Sequence, residues 1–297
     1  MAEQREPRRT ESRNMLASEG VINDTEKAVE AMHRSDVQAE SDWILARGPP
    51  PHAVVVSSDP LVYYVDDFTT DEECDAMIDK SEPLMRRARV SGIQDGRVSS
   101  GRTNSVAWMA AAGDDVFEQV EDKVCDLIGC RAECTESFQV IHYEEGQEYK
   151  PHLDAYDTSS PHGQNNCKRG GNRLVTTLLY LSDVEAGGST GFVKLGVQVE
   201  AKKRRIAVFY NCLPGQAADV NPQTMHCGSP VEAGIKWAAN KWIRQFPMHP
   251  ERPRRLGAPP EWANLPEVDG WNGGYKGGEA DEANEAPAPE PEPEKEL

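Results

Sequence analysis

From Glu136 onward the chain stops reading as helix and starts reading as strand, and that switch limits its fold more than any other feature. Five runs, "SFQVIHY" (137–143), "NRLVTTLLYLSD" (172–183), "GFVKLG" (191–196), "RRIAVFYN" (204–211) and "KWAANKWIRQF" (236–246), carry the strand signal. Turn residues separate them, as in "EAGGST", "LPGQ" and "GSPVEAG". Ahead of them come "VYYVDDF" (62–68), a further strand, and two helical patterns. In "TDEECDAMI", Thr70 and Glu73 have capping-box spacing, and Cys74, Met77 and Ile78 share one face. In "DDVFEQVEDKVCDLIG", Phe117, Val120, Val124 and Leu127 recur at helical spacing and Gly129 can stop the helix. Helices followed by strands at short spacing predict an α+β chain whose strands form a sandwich or jelly roll.

The flanks do not share this patterning. Residues 1–57 are predicted to be a mostly disordered N-terminal extension, polar and mixed in charge until "DWILARGPPP". Residues 251–297 are predicted to be a disordered acidic tail rich in Pro and Glu. After Gly278 it holds eight acidic residues against one lysine, and alternating Pro and Glu keep such a segment extended and solvated. That leaves 58–250 as the folded domain.

The formal charge of −18 argues against nucleic acid or an anionic membrane as partner and suits a neutral or basic one. No apolar run approaches the roughly 18 residues of a membrane span, and "MAEQREPRRTESRN" lacks the apolar core of a secretory signal. The seven cysteines are odd in number, scattered and without a C-x-x-C, which fits free thiols in a reducing compartment. A cytoplasmic location is the expectation. The sequence carries no signature of an oligomeric state.

The chemistry begins at "YKPHLD" (149–154). On a strand, residues i and i+2 share a face, so His152 and Asp154 aim an imidazole and a carboxylate at one point. Non-haem Fe(II) sites use two His and one carboxylate on one side of the metal and leave the other positions open. For a third ligand from a late strand, His226 beside a turn is a better candidate than His249 among Pro and Met. The plain alternative for His226 is a half-buried ring satisfied by backbone. Ten residues further on, Lys236 sits in the apolar strand "IKWAANKW". A buried ammonium there needs a counter-charge or an anionic ligand, unless the side chain snorkels to an edge.

Taken together, "HYEEGQEYKPHLDAYD", "GGNRLVTTLLYLSDVEAGGSTGF", "MHCGSPVEAGIKWAANKWIRQF" and "SSGRTNSVAW" resemble, in order and spacing, the 2-oxoglutarate- and Fe(II)-dependent dioxygenases of the collagen-type prolyl 4-hydroxylase group. The resemblance implies a double-stranded β-helix (jelly roll) core with N-terminal helices packed on one sheet. It implies His152, Asp154 and His226 as iron ligands, and Lys236, Tyr143 and Thr190 as contacts to 2-oxoglutarate. It places Tyr149 and Arg173 as catalytic residues, with Arg102 and Trp242 on the substrate side. Tyr149 stands three residues before His152, so on a regular strand the two would face opposite ways.

The implied reaction hydroxylates peptidyl proline to 4-hydroxyproline, consuming O2 and 2-oxoglutarate, releasing succinate and CO2, and using Fe(II) with ascorbate as reductant. The implied partner is a Pro-rich peptide or protein, with no nucleic acid and no membrane. Two alternatives stand beside it: an oxygenase of a free amino acid or small molecule, and a non-catalytic binding module on the same fold. The sequence departs from the family pattern at Ser189, where Glu is usual, at Val193, where Pro is usual, and in "KKRRIAVF".

Overall fold

The computed structural model describes residues 41, 44–88, 101–213 and 216–248. Its strands in chain order are β1 (Val54–Ser58), β2 (Leu61–Val65), β3 (Arg86–Arg87), β4 (Ser105–Met109), β5 (Phe138–Tyr143), β6 (Tyr149–His152), β7 (Arg173–Tyr180), β8 (Ala186–Gly187), β9 (Thr190–Phe192), β10 (Val197–Val199), β11 (Ile206–Tyr210), β12 (Cys212–Leu213), β13 (Gln216–Val220), β14 (His226–Gly228), β15 (Val231–Ala233) and β16 (Lys236–Arg244). The helices used below are α1 (Asp71–Ser81), α2 (Asp115–Ile128) and α3 (Pro161–Cys167).

Eight strands form one sheet in the order β1-β2-β11-β7-β16-β5-β4-β3, and four form a second in the order β10-β9-β14-β6. Every pairing is antiparallel. The chain is thus a mixed α/β structure dominated by antiparallel sheet.

The larger sheet is buried on both faces, which explains why β7, β11 and β16 read as nearly continuous apolar runs. One face contributes Phe138, Val140, Leu179, Val208 and Ile243 to a cluster that includes Phe117, Val120 and Val124 of α2. The Phe117 and Phe138 rings lie 5.3 Å apart. The opposite face sends Tyr143, Leu178, Tyr180 and Phe209 into a cluster with Phe192 and Val199 of the smaller sheet. Alternation along each strand sorts the two sets.

Both helix boundaries follow their sequence signals. Thr70 and Glu73 close a reciprocal capping box at the start of α1. Asp114 caps α2 through the Val116 and Phe117 amides, and Gly129 ends it in the left-handed conformation. One expected strand is different. "GFVKLG" is mostly a turn between β9 and β10, because the Leu195 and Gly196 amides both return to the Phe192 carbonyl, with Gly196 at φ 66°.

The ordered fold also begins before residue 58: Ile44 and Leu45 are buried and β1 starts at Val54. The rest of the proposed N-terminal extension, 1–40 with 42–43, and the tail 251–297 lie outside the described residues, as does His249. The unusual "KKRR" segment is matched by acids at the end of β2 and the start of α1. Lys203 meets Asp75 and Asp71, Arg204 meets Asp67, and Arg205 grips Asp66 while lying 3.9 Å over the Tyr64 ring. The exposed members of this set add little stability, so the half-buried Arg205 pair carries most of it.

Candidate metal centre and co-substrate pocket

Two strands of the smaller sheet build the centre. His152 on β6 and His226 on β14 are directly paired across the ladder. Asp154 follows β6 by two residues, on the bend past the strand end. One ligand atom from each residue lies within 4.8 Å of the others. The His152 and His226 Nε2 atoms approach the Asp154 carboxylate to 3.7 and 3.6 Å.

The two imidazoles are oriented in the same way. Nδ1 of His152 lies 2.9 Å from the Lys150 carbonyl, and Nδ1 of His226 lies 3.0 Å from the Thr224 carbonyl. A carbonyl only accepts, so each Nδ1 holds the proton and each Nε2 turns a lone pair inward. Burial, reinforced by His226, pushes the His152 pKa down to about 3. Its ring is therefore neutral at neutral pH, as a metal ligand must be.

Asp154 is also fixed from behind. Thr176 Oγ1 donates to its Oδ2 at 2.7 Å, and Trp242 Nε1 donates to the same oxygen at 2.9 Å. Asn211 in turn donates to Thr176 Oγ1 at 2.8 Å. Burial alone would raise the Asp154 pKa. The neighbouring His226, His152 and Arg173, with the Trp242 hydrogen bond, outweigh it and hold the carboxyl below the usual range.

Beside these three residues opens a cavity of about 260 Å³ that reaches Tyr143, Thr190 and Lys236. Lys236 begins β16 opposite Tyr143 of β5. Its side chain is 2% exposed and donates to the Gly188 carbonyl at 2.6 Å, with the Tyr180 and Tyr143 rings 5.3 and 5.5 Å from Nζ. Among the described residues no carboxylate comes within ion-pair range of it. Burial lowers its pKa to about 8. An ammonium placed in this way lacks its anion. Burial keeps the Tyr143 phenol protonated, so it remains a donor. The Thr190 hydroxyl accepts from Tyr180 at 2.7 Å, which leaves its own proton free to point elsewhere.

Residues 138–244 match the family model described as the 2OG-Fe(II) oxygenase superfamily. A probable prolyl 4-hydroxylase 8 of Arabidopsis thaliana is 32% identical over 210 residues, covering 64% of this chain and 70% of that protein. Prolyl 4-hydroxylase 5 of the same plant is 34% identical over 213 residues, with the same two coverages. This chain belongs to the prolyl 4-hydroxylase family. A viral collagen prolyl hydroxylase from Paramecium Bursaria Chlorella virus-1, solved with 2OG, is 26% identical, covers 62% of this chain and 95% of its own, and superposes with a TM-score of 0.49.

As a member of that family the chain is a 2-oxoglutarate-dependent dioxygenase with Fe(II) as its metal, and its own residues fit both groups. Two neutral imidazoles and one carboxylate on one side are the donor set for Fe(II) that leaves positions open. Lys236, with no carboxylate beside it among the described residues, fits the far end of a dicarboxylic acid.

The structure brings every expected site residue to this one cavity, along with neighbours the sequence did not suggest. Tyr149 and His152 are stacked, with centroids 3.6 Å apart, rather than on opposite faces. A bulge explains it: Tyr149 and His152 are opposed by Gly228 and His226, three steps along one strand against two along the other. Arg102 lies 4.6 Å over the Tyr149 ring and bridges to Tyr149 through the backbone.

Arg173 lies 3.7 Å over Trp242, with its guanidinium held by both oxygens of Glu136 at 2.6 and 2.8 Å. Trp242, expected on the substrate side, also reaches Asp154. Ser189 occupies the place of the family's Glu; its hydroxyl donates to Gln198 and is hydrogen-bonded to the Ser229 hydroxyl, beside Thr190 rather than in its way. The sequence reading missed Thr176, Asn211 and Glu136. Thr176 and Thr177 were the visible clue, two hydroxyls at the centre of the apolar run "RLVTTLLYL".

Proposed function

We propose that this dioxygenase hydroxylates proline in a peptide or protein substrate, converting 2-oxoglutarate to succinate and CO2. The observation that carries the reading is Lys236, a buried ammonium with no carboxylate partner among the described residues, sharing one cavity with His152, Asp154 and His226. His152, Asp154 and His226 would hold the iron. Lys236 would hold the far carboxylate of 2-oxoglutarate, with Tyr143 and Thr190 supplying hydroxyl donors. Fe(II) held there would supply the redox chemistry that activates O2 for oxidation of 2-oxoglutarate and of the target carbon.

The remaining residues position and exclude. Tyr149 covers one face of His152, and Arg102 holds Tyr149 from the other side. Glu136 fixes Arg173 against Trp242, so the wall on that side is a rigid one. Trp242 and Thr176 hold Asp154 in a single orientation.

The architecture fits a double-stranded β-helix with α2 against the larger sheet. The dioxygenase domain would run from the buried Ile44 to about residue 250, with extensions at both ends. A Pro-rich segment is the fitting substrate, and ascorbate as reductant follows from the family resemblance. Cys74, Cys125, Cys167, Cys212 and Cys227 are free thiols, which supports a reducing compartment such as the cytoplasm. Among the described residues no helix is long and apolar enough to cross a membrane.

The test is succinate release with Fe(II) and 2-oxoglutarate over a panel of Pro-rich peptides, with mass spectrometry of each peptide. Gain of one oxygen atom on a proline is the expected result. Succinate release coupled only to a free amino acid or other small molecule would overturn the peptide assignment.

A further inference from the structure

Gln139 shares the cavity but has no part in holding metal or acid. Gln139, Ile141 and Tyr143 alternate along β5 on the cavity side. The Gln139 side chain is buried, and its oxygen is claimed twice, by Arg102 Nη2 at 2.8 Å and by Asn240 Nδ2 at 3.4 Å. Arg102 is itself steadied by Asn104 at 3.1 Å. Two donors on the oxygen fix which end of the amide is which. Its NH2 end has no acceptor among the described residues and is not sealed inside protein, so it meets the cavity.

A proline-rich segment in the extended polyproline form offers acceptors almost alone, because proline keeps its C=O and has no N–H. A wall that recognises such a segment must therefore donate. We propose that Gln139 is a substrate-binding residue, its Nε2 donating to a main-chain carbonyl of the segment that carries the target proline. This rests on the peptidyl-proline reading above and names a contact within it. Arg102 and Asn240 are positioning residues, since they hold the amide oxygen and so aim the nitrogen.

The surroundings suit the same ligand. Trp108 is the cross-strand partner of Gln139, is 51% exposed, and lies 5.9 Å from the Trp242 ring. The exposed Trp108 indole, backed by the buried Trp242, gives flat apolar surface for a pyrrolidine ring next to a donor for its carbonyl.

The experiment uses the full chain with Fe(II), 2-oxoglutarate and a Pro-rich peptide that the parent hydroxylates. A peptide series carries a thioamide, a weaker acceptor, in place of one carbonyl at a time. Gln139→Leu is expected to raise the peptide KM by about tenfold, the worth of one neutral hydrogen bond at the upper end of its range. The 2-oxoglutarate concentration at half-saturation should keep the parent's value.

One thioamide position should weaken the parent and leave Gln139→Leu indifferent, a coupling that loss of packing would not produce. Should Gln139→Leu fail to fold, Gln139→Glu keeps the shape, can pair with Arg102, and turns the donor into an acceptor; its peptide KM should rise further. An unchanged KM in the folded variants, or thioamide effects equal in parent and variant at every position, overturns the assignment. A parent that hydroxylates no peptide at all overturns the underlying peptide reading instead, so the two failures are told apart.

Discussion

Replacing Lys236 with methionine separates what the ammonium does for the ligand from what it does for the fold. In the free protein its charge is poorly compensated, with one carbonyl at 2.6 Å, no carboxylate among the described residues, and a pKa drawn from 10.5 to about 8 by burial. That depression corresponds to about 3 kcal/mol against the charged form, at 1.36 kcal/mol per pKa unit. The Gly188 hydrogen bond, worth about 1–2 kcal/mol, offsets only part of that cost. Lys236→Met keeps the stem and removes the buried charge, so the unliganded variant should melt no lower than the parent and by this reckoning somewhat higher.

The ligand balance runs the other way. Loss of a charge-assisted contact to a carboxylate in a partly dry site costs about 1.5–3 kcal/mol, roughly a ten- to hundredfold loss of affinity. Anaerobic titration calorimetry of Fe(II)-loaded protein with 2-oxoglutarate reads this directly, and thermal melts read the fold. Lys236→Arg should recover only part, because a planar fork fills a space shaped by a point charge poorly. Unchanged 2-oxoglutarate affinity in a folded Lys236→Met would show that the acid is held elsewhere and refute the reasoning.

Three further outcomes follow from the same geometry. Lys236 binds its proton more weakly than an exposed lysine, so the affinity of the protein for 2-oxoglutarate should fall as pH rises through about 8, a trend that titrations between pH 7 and 9 would show and that Lys236→Met should lack. Trp242→Phe removes a donor from Asp154 and should weaken Fe(II) binding roughly ten- to hundredfold, measured by metal titration; retention of parent affinity would make the indole only a wall of the cavity. Lys241→Met should behave unlike Lys236→Met. Lys241 is fully buried against Glu121 at 2.6 Å, and removing one partner of such a pair costs about 3–5 kcal/mol, readable in urea unfolding.

Those two lysines show where reading the sequence stops. Both lie in the single run "KWAANKW", and their odd separation alone puts them on opposite faces of β16. Nothing local says that one face meets Glu121 from α2 while the other meets a cavity. Much of the frame is nonetheless local. Capping box, left-handed Gly129 and strand alternation act over a few residues, so the boundaries of α1 and α2 and the course of β5, β7, β11 and β16 were legible. His152 and Asp154 could be paired by spacing because two steps along an extended chain return to one side.

The rest depended on which strand lies beside which. His226 faces His152 because β14 pairs with β6, a register that no short window encodes. The bulge in that pairing turns Tyr149 onto His152 against the simple alternation rule. Asp154 gains its Thr176 and Trp242 donors from β7 and β16, and Gln139 has its amide oriented by Arg102 and Asn240, residues distant in sequence. The sequence determined which side chains are available and which way each faces along its own strand. Only the tertiary structure decided their partners, because hydrogen bonds and desolvation act between neighbours in space, whatever their separation along the chain.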